Sequence, residues 1–291
     1  MNKEMDLSAA VARLESGMTL GIGGWGPRRK PMALVREILR SDLRDLTLVA
    51  YGGPEIGMLC AAGKVRRLVY GFVSMDAIPL EPYFRKAREA GQVEAHEWDE
   101  GLLLLGLRAA AEGVPFAPTR IGLGTDLVAR NGMKTVRSPL PDGEVLLAMP
   151  AIRPDVSLIH VSRADRRGNT QTDGPDPYFD ALFARAAGRV IVTAEEVTDR
   201  LDFSHPEGAK CNLFDRSLVE AVVHAPGGAH PTTAHDAYGW DMAHLGAYVA
   251  SAAEDGGWAR YMAEHVADGE AAYLASVGGL EAVRALPIPT F

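Results

Sequence analysis

The 291-residue sequence has only two cysteines, Cys60 and Cys211, too few for a disulfide framework or a cysteine metal site. Both stand in apolar or helical contexts, which predicts a reducing, cytoplasmic setting. No apolar run reaches the length of a membrane span, and Met1 to Asp6 lacks the apolar core of a signal peptide. Positive charge is not in excess: 30 Lys and Arg against 38 Asp and Glu give a formal charge of -8, which argues against a general nucleic-acid binder. There is no G-x-S-x-G elbow, and Ser74, Ser162 and Ser217 show no partner pattern, so a self-contained serine hydrolase is disfavoured. His224 and His230 straddle a Pro-Gly-Gly turn without paired cysteines or a carboxylate array, which predicts a structural turn and no metal.

What is present begins with Met18 to Leu39. A short apolar run leads into Gly23, Gly24, Trp25 and Gly26, then Pro27, Arg28, Arg29 and Lys30, before an amphipathic segment opened by Pro31. Glycines let a main chain turn and approach a ligand closely, a helix start offers N–H groups, and adjacent cations attract phosphate or carboxylate. The stretch therefore predicts an anion or oxyanion site. It also satisfies G-x-G-x-x-G at Gly21, Gly23 and Gly26. A dinucleotide site needs an acid at the end of the second strand, and that strand ends instead in Tyr51, Gly52 and Gly53. NAD binding is disfavoured.

The rest of the first half alternates strands and helices. The pattern predicts a helix from Asp6 to Glu15, strands at 18–23, 46–51, 65–73 and 93–98, and helices at 31–41, 55–62, 82–90 and 99–112. Such alternation implies an α/β fold with an open, mostly parallel sheet and helices on both faces, ligands binding beyond the carboxyl ends of the strands. Gly23 and Gly24, Gly52 and Gly53, and Glu97 to Gly101 all fall at such ends. Residues 114–147, rich in Pro and Gly, predict an irregular excursion that reaches a partner or covers the site. Strands resume at 155–161 and 189–193, around a turn at 165–169 and a helix at 178–187. No long polar linker divides the chain, so 1–291 reads as one domain with a helical C-terminal tail from about 240.

Two carboxylates stand out for chemistry, Glu97 and Glu100, flanking Trp98 and Asp99 where a strand gives way to a helix. Either could act as general base or nucleophile. The same spacing also fits plain helix-start roles, with Asp99 as a cap and Glu100 at the positive end.

Six motifs in order, Gly21-Ile-Gly-Gly-Trp-Gly26, Glu97-Trp-Asp-Glu-Gly101, Gly122-Leu-Gly-Thr-Asp126, Asp165-Arg-Arg-Gly-Asn169, Ala194-Glu-Glu196 and Ala225-Pro-Gly-Gly-Ala-His-Pro231, resemble the α subunits of family I coenzyme A transferases, the glutaconate CoA-transferase group. The likeness runs from about residue 6 to 235. Within that group Gly24 to Met32, Tyr51 to Pro54, Ala62 to Val65, Tyr70 to Ser74, Asp99-Glu-Gly101 and Asp176-Pro-Tyr-Phe-Asp180 are similar to a subfamily of steroid-ring-opening hydrolases. The resemblance implies a NagB/RpiA/CoA-transferase-like fold, an acyl-CoA substrate, no cofactor beyond that thioester, and a β subunit in an αβ or α2β2 assembly. In the transferases a β-subunit glutamate attacks the thioester, and this chain would not carry it. In the hydrolases an α-subunit carboxylate promotes attack of water on a ring ketone. The Asp-Glu-Gly match points to Glu100, with Glu97 in reserve. For Gly23, Gly24, Trp25, Arg28, Arg29, Lys30, Gly52 and Gly53 the expectation is substrate or CoA binding; the physics of the loop makes the Gly23 and Gly24 amides oxyanion donors and Arg28, Arg29 or Lys30 the holder of a substrate carboxylate or CoA phosphate.

Overall fold

The computed structural model describes residues 2–78, 80–174, 177–235 and 237–289. After a short helix α1 (Leu7–Val11), capped by the Asp6 side chain, the chain alternates β1 (Thr19–Ile22), α2 (Met32–Arg40), β2 (Leu46–Gly52), α3 (Pro54–Ala61), β3 (Val65–Val73), α4 (Pro82–Glu89), β4 (Glu94–Glu97) and α5 (Asp99–Ala111). It then runs through β5 (Phe116–Thr119), α6 (Asp126–Arg130), β6 (Lys134–Arg137), β7 (Val145–Pro150), β8 (Val156–Asp165), β9 (Thr170–Gln171), α7 (Asp180–Ala186) and β10 (Arg189–Thr198). Next come α8 (Pro206–Lys210), β11 (Val219–His224), α9 (Met242–Ser251), α10 (Gly257–His265), α11 (Gly269–Ser276) and α12 (Leu280–Arg284).

The main sheet has the order β11-β10-β8-β1-β2-β3-β4, every one of these neighbours parallel, with β9 folding back antiparallel on β8. The chain leaves β1 in one direction through β2, β3 and β4, then returns to its other side with β8. That reversal makes the carboxyl end of β1 a switch point, where the loops on either side diverge and leave a crevice.

Both faces are covered, so the central strands read as continuous apolar runs whose successive side chains enter different layers. Leu48 and Ala50 join α2, α3 and the tail helices in one core, with Met32, Ile38, Ile56 and Tyr248; Val49 and Tyr51 join α5 and α7 in the other, with Leu103, Leu107 and Phe183. The tail packs on the body: Glu270 of α11 binds the buried Arg36 of α2 at 2.7 Å, and the Tyr273 ring lies 3.6 Å from that guanidinium.

Residues 114–147 depart from the expected irregular excursion. β5, β7 and β6 pair antiparallel in a small second sheet whose inner side chains Leu147 and Met149 pack on Leu102 of α5. Its strands are four to six residues long and interrupted by Pro and Gly, so their alternation is too brief to stand out in sequence. This segment also carries five exposed large apolar residues, Val114, Phe116, Ile121, Leu140 and Val145. At 165–169 the expected turn is present, with the Asp165 carboxylate accepting from the amides of Arg167 and Asn169. No helix among the described residues is long and apolar enough to cross a membrane.

Glu81 joins three elements. Its buried carboxyl caps α4 through the amides of Tyr83 and Phe84 and accepts from Tyr248 Oη of α9 at 2.7 Å. It also presses on α3 at Gly57, where a Cβ would fall 2.0 Å from it. Burial pushes this carboxyl up to about 7, against the opposing hydrogen bonds. Between the unfolded value of 4.5 and about 7 the unfolded chain gives up this proton while the folded protein keeps it, so stability falls as pH rises through that window. The unfolding free energy of the wild type minus that of Glu81→Gln should therefore decline by about 3 kcal/mol from pH 4.5 to 7 in urea titrations. A pH-independent difference would show a normally ionising carboxyl.

Candidate functional site

The loop after β1 is built from bonds to its own chain. Gly23 N–H donates to Leu158 O at 2.9 Å and Gly24 N–H to Asp180 Oδ1 at 2.8 Å, while Gly26 N–H donates to Tyr51 O at 3.1 Å. Trp25 and Arg28 exchange amide bonds across a tight turn, each at 3.1 Å. Glycine is required by close approach of backbone to backbone. At Gly24, with φ +75°, a Cβ would lie 2.3 Å from Arg28 O, and at Gly53 it would lie 2.3 Å from Gly26 O. The expected oxyanion donors Gly23 and Gly24 are thus already engaged. Gly53 N–H is likewise held by Glu55, and Gly52 O accepts from Ser74 N–H.

Two of the three cations also face inward, contrary to their expected role as anion holders. Arg29, 3% exposed, binds Asp180 Oδ2 at 2.7 Å and the carbonyls of His160 and Pro177. Lys30 is fully buried, 3.0 Å from Glu55 Oε1 and 2.6 Å from Tyr51 O. Burial pushes the Lys30 ammonium down and the Glu55 carboxyl up, each partly offset by the other. Charge in a sequence does not show which way a side chain points. Arg28 stays nearer the surface, paired with Asp76 at 2.8 Å, its guanidinium 5.0 Å from the Trp25 ring and 5.6 Å from that of Trp240.

The two candidate carboxylates part company. Glu97, at the end of β4, accepts from Tyr70 Oη at 3.2 Å and lies 3.5 Å from Arg88, and Tyr70 is pushed up to about 12 by burial and by Glu97. It lines an open cleft of about 550 Å³ shared with Phe72, Leu80 and Phe84. Glu100, one turn further on, faces the glycine loop. It is exposed, its Oε1 accepts from Trp25 Nε1 at 3.0 Å, and its main-chain oxygen accepts from Tyr51 Oη at 2.9 Å. Burial first, then the charges of Glu100 and Asp99, raise the Tyr51 phenol far above its usual range, so it remains a neutral donor. Asp99 caps its own helix, Oδ1 accepting from Leu102 N–H.

Aromatic rings wall this spot. Phe72 meets Trp25 edge-on at 4.8 Å, Tyr178 lies parallel to it at 6.5 Å, and Phe179 and Phe72 flank Tyr51. Arg29, Asp76, Asp99 and Tyr178 are non-glycine residues with φ between 44° and 52°, all bordering the loop or the start of α5. Such strain persists only where surrounding contacts over-determine the backbone. Asp180, Glu55, Phe72 and Tyr178 escape sequence reasoning as site builders. The available signals are the resemblance segments Tyr70 to Ser74, which holds Phe72, and Asp176 to Asp180, of which Asp176 lies outside the described residues.

The motifs at 194–196 and 225–231 serve structure. Glu195 accepts from His160 Nε2, Tyr238 Oη and Gly227 N–H, which hold it below the usual carboxylate range although burial opposes them. It thereby ties β10 to the turn at 225–231. His224 is exposed, whereas His230 is buried against Tyr273 and Asp241, and no group of three metal-ligating side chains occurs among the described residues.

Lys30→Met should cost about 3–5 kcal/mol in urea unfolding, because it leaves the Glu55 carboxyl buried without its cation. Lys30→Met combined with Glu55→Gln should regain most of that loss. A single variant as mild as the double one would show that the pair does not hold the loop.

Residues 4–225 match the family described as Coenzyme A transferase. The chain is 46% identical to a protein named cholesterol ring-cleaving hydrolase IpdA subunit from Rhodococcus jostii (strain RHA1), covering 95% of this chain and 96% of that one. It is 47% identical to the protein of the same name from Mycobacterium tuberculosis (strain ATCC 25618 / H37Rv), covering 97% and 99%. Its fold superposes on the crystal structure of glutaconate coenzyme A-transferase from Acidaminococcus fermentans with a TM-score of 0.90, at 28% identity, over 98% of this chain and 96% of that one. A parallel sheet that reverses at β1, with its glycine loop at the crevice, and a family match over most of the length together place this chain in the coenzyme A transferase family.

Proposed function

We propose that this chain is the α subunit of a heteromeric hydrolase that opens a ring of a cyclic β-keto acyl-CoA in steroid breakdown, working in the cytoplasm with a β subunit. The CoA thioester is substrate, and no further cofactor is required. The observation that carries the reading is Glu100: an exposed carboxylate at the carboxyl rim of the sheet, its backbone fixed by Tyr51 and one oxygen held by Trp25. The names of two relatives at 46% and 47% identity support cleavage of a cholesterol ring, and the coenzyme A transferase family match supports a CoA ester.

In this mechanism Glu100 takes a proton from water as the oxygen adds to the ring ketone. The tetrahedral adduct collapses to a carboxylic acid, and the electron pair of the broken carbon–carbon bond passes to the carbon α to the thioester. That carbon is an acceptable leaving group because its carbanion is the thioester enolate, and the proton held by Glu100 returns to it. Developing oxyanions need donors. Since the Gly23 and Gly24 amides are engaged within the chain, we assign those donors to groups outside the loop, which makes the β subunit part of the site.

A second reading, transfer of CoA between carboxylic acids, draws on the structural likeness to glutaconate coenzyme A-transferase. Co-expressed with its β partner and given a cyclic β-keto acyl-CoA in oxygen-18 water, the protein should yield a ring-opened CoA ester with label in the new carboxylate. Glu100→Gln should lower that turnover by about 10²–10⁴-fold. An intact ring, with CoA passed to an added acid, would return the chain to the transferases. Full turnover by both Glu100→Gln and Glu97→Gln would leave it a non-catalytic subunit.

A further inference from the structure

The sequence predicts that Trp25 touches substrate or CoA. The structure gives its polar atom a different task. The indole Nε1 donates to Glu100 Oε1 at 3.0 Å, and among the described residues Glu100 Oε2 accepts no hydrogen bond. A glutamate on the exposed first turn of a helix otherwise samples many rotamers, and a base that wanders spends little time aligned with its water. Pinning one oxygen leaves the other directed and available.

The indole is itself immobilised. Phe72 abuts its edge at 4.8 Å, and the Arg28 guanidinium lies 5.0 Å from its ring centroid, held there by two bonds to Asp76. Trp25 also sits in a turn closed on both sides by its amide exchange with Arg28, next to the Gly24 amide anchored on Asp180. A cation over the ring draws electron density from the indole and strengthens its N–H as a donor. Arg28 thus acts on the site through Trp25.

We infer that Trp25 is a positioning residue that aims the Glu100 carboxylate, with Arg28 and Asp76 clamping the indole in place. The inference rests on Glu100 being the base of the proposed hydrolysis. It gives the Gly-Gly-Trp-Gly segment a use that the engaged glycine amides do not supply: the loop presents an indole N–H to the start of α5.

The test replaces Trp25 in the assembled complex with its benzothiophene isostere, in which sulfur stands for the N–H and the ring shape is kept. kcat should fall about tenfold, the loss of one hydrogen bond to a charged group, while KM stays within about twofold. Trp25→Phe should behave the same way and guards against misfolding of either variant. In parallel, the indole N–H marker band in ultraviolet resonance Raman spectra of the substrate-free complex should shift in Glu100→Ala and not in Glu97→Ala.

An isostere with unchanged kcat, alongside an inactive Glu100→Gln, would overturn this inference and leave the hydrolase reading intact. A raised KM with unchanged kcat would make Trp25 a substrate contact and overturn it too. Wild-type turnover by Glu100→Gln would remove Glu100 as the base, and the inference with it, while ring opening itself would still stand.

Discussion

A lysine and a glutamate, both shut off from water, join the first two strand ends. Lys30 reaches Tyr51 O as well as Glu55, and Glu55 in turn holds the Gly53 amide, so one ion pair fixes the loop after β1 and the turn after β2 in a single arrangement. Taking both charges out of water is costly, and their attraction offsets that cost only with further hydrogen bonds around them. The same pair therefore needs Gly53 close at hand and Tyr51 at the end of β2. Tyr51 carries the constraint onward, since its hydroxyl anchors Glu100. Position thus passes from a buried pair to a surface carboxylate through one aromatic side chain.

A second buried carboxylate completes the support from the other half of the chain. Asp180, at the start of α7, accepts from the Gly24 amide and from Arg29. The glycine loop is consequently clamped between β2 on one side and α7 on the other, with Thr232 and Thr233 bonded along its remaining edge. Little of its main chain is left for a ligand. What the loop offers outward is side chains, chiefly Trp25 and Arg28.

Much of this was legible in the sequence, for identifiable reasons. The strands at β1, β2 and β3 and the helices between them show because long buried runs alternate with amphipathic stretches, as at Leu46–Gly52 beside Met32–Arg40. The rim location of the glycines follows from that alternation alone. Three features were hidden. Arg28, Arg29 and Lys30 form one basic cluster in sequence, yet burial separates them into a surface clamp and two internal struts. Glu97 and Glu100 are three residues apart but leave the strand end toward different neighbours, Tyr70 and Arg88 in one case and Trp25 in the other. Asp180 lies far along the chain, and no local spacing connects it with Gly24.

The central position of β1 bears on how the molecule is assembled during synthesis. Leu20 pairs with Leu48 on one side but with Val156 on the other, so the middle strand stays an open edge until the second half of the chain has been made. Asp180 emerges later still. A nascent chain halted before that point would carry the Gly24 amide and the Arg29 guanidinium without their shared acceptor, and long-range parallel pairing of this kind is slow to form. β1 and its loop are thus made before most of their partners and are among the last elements to reach their final shape.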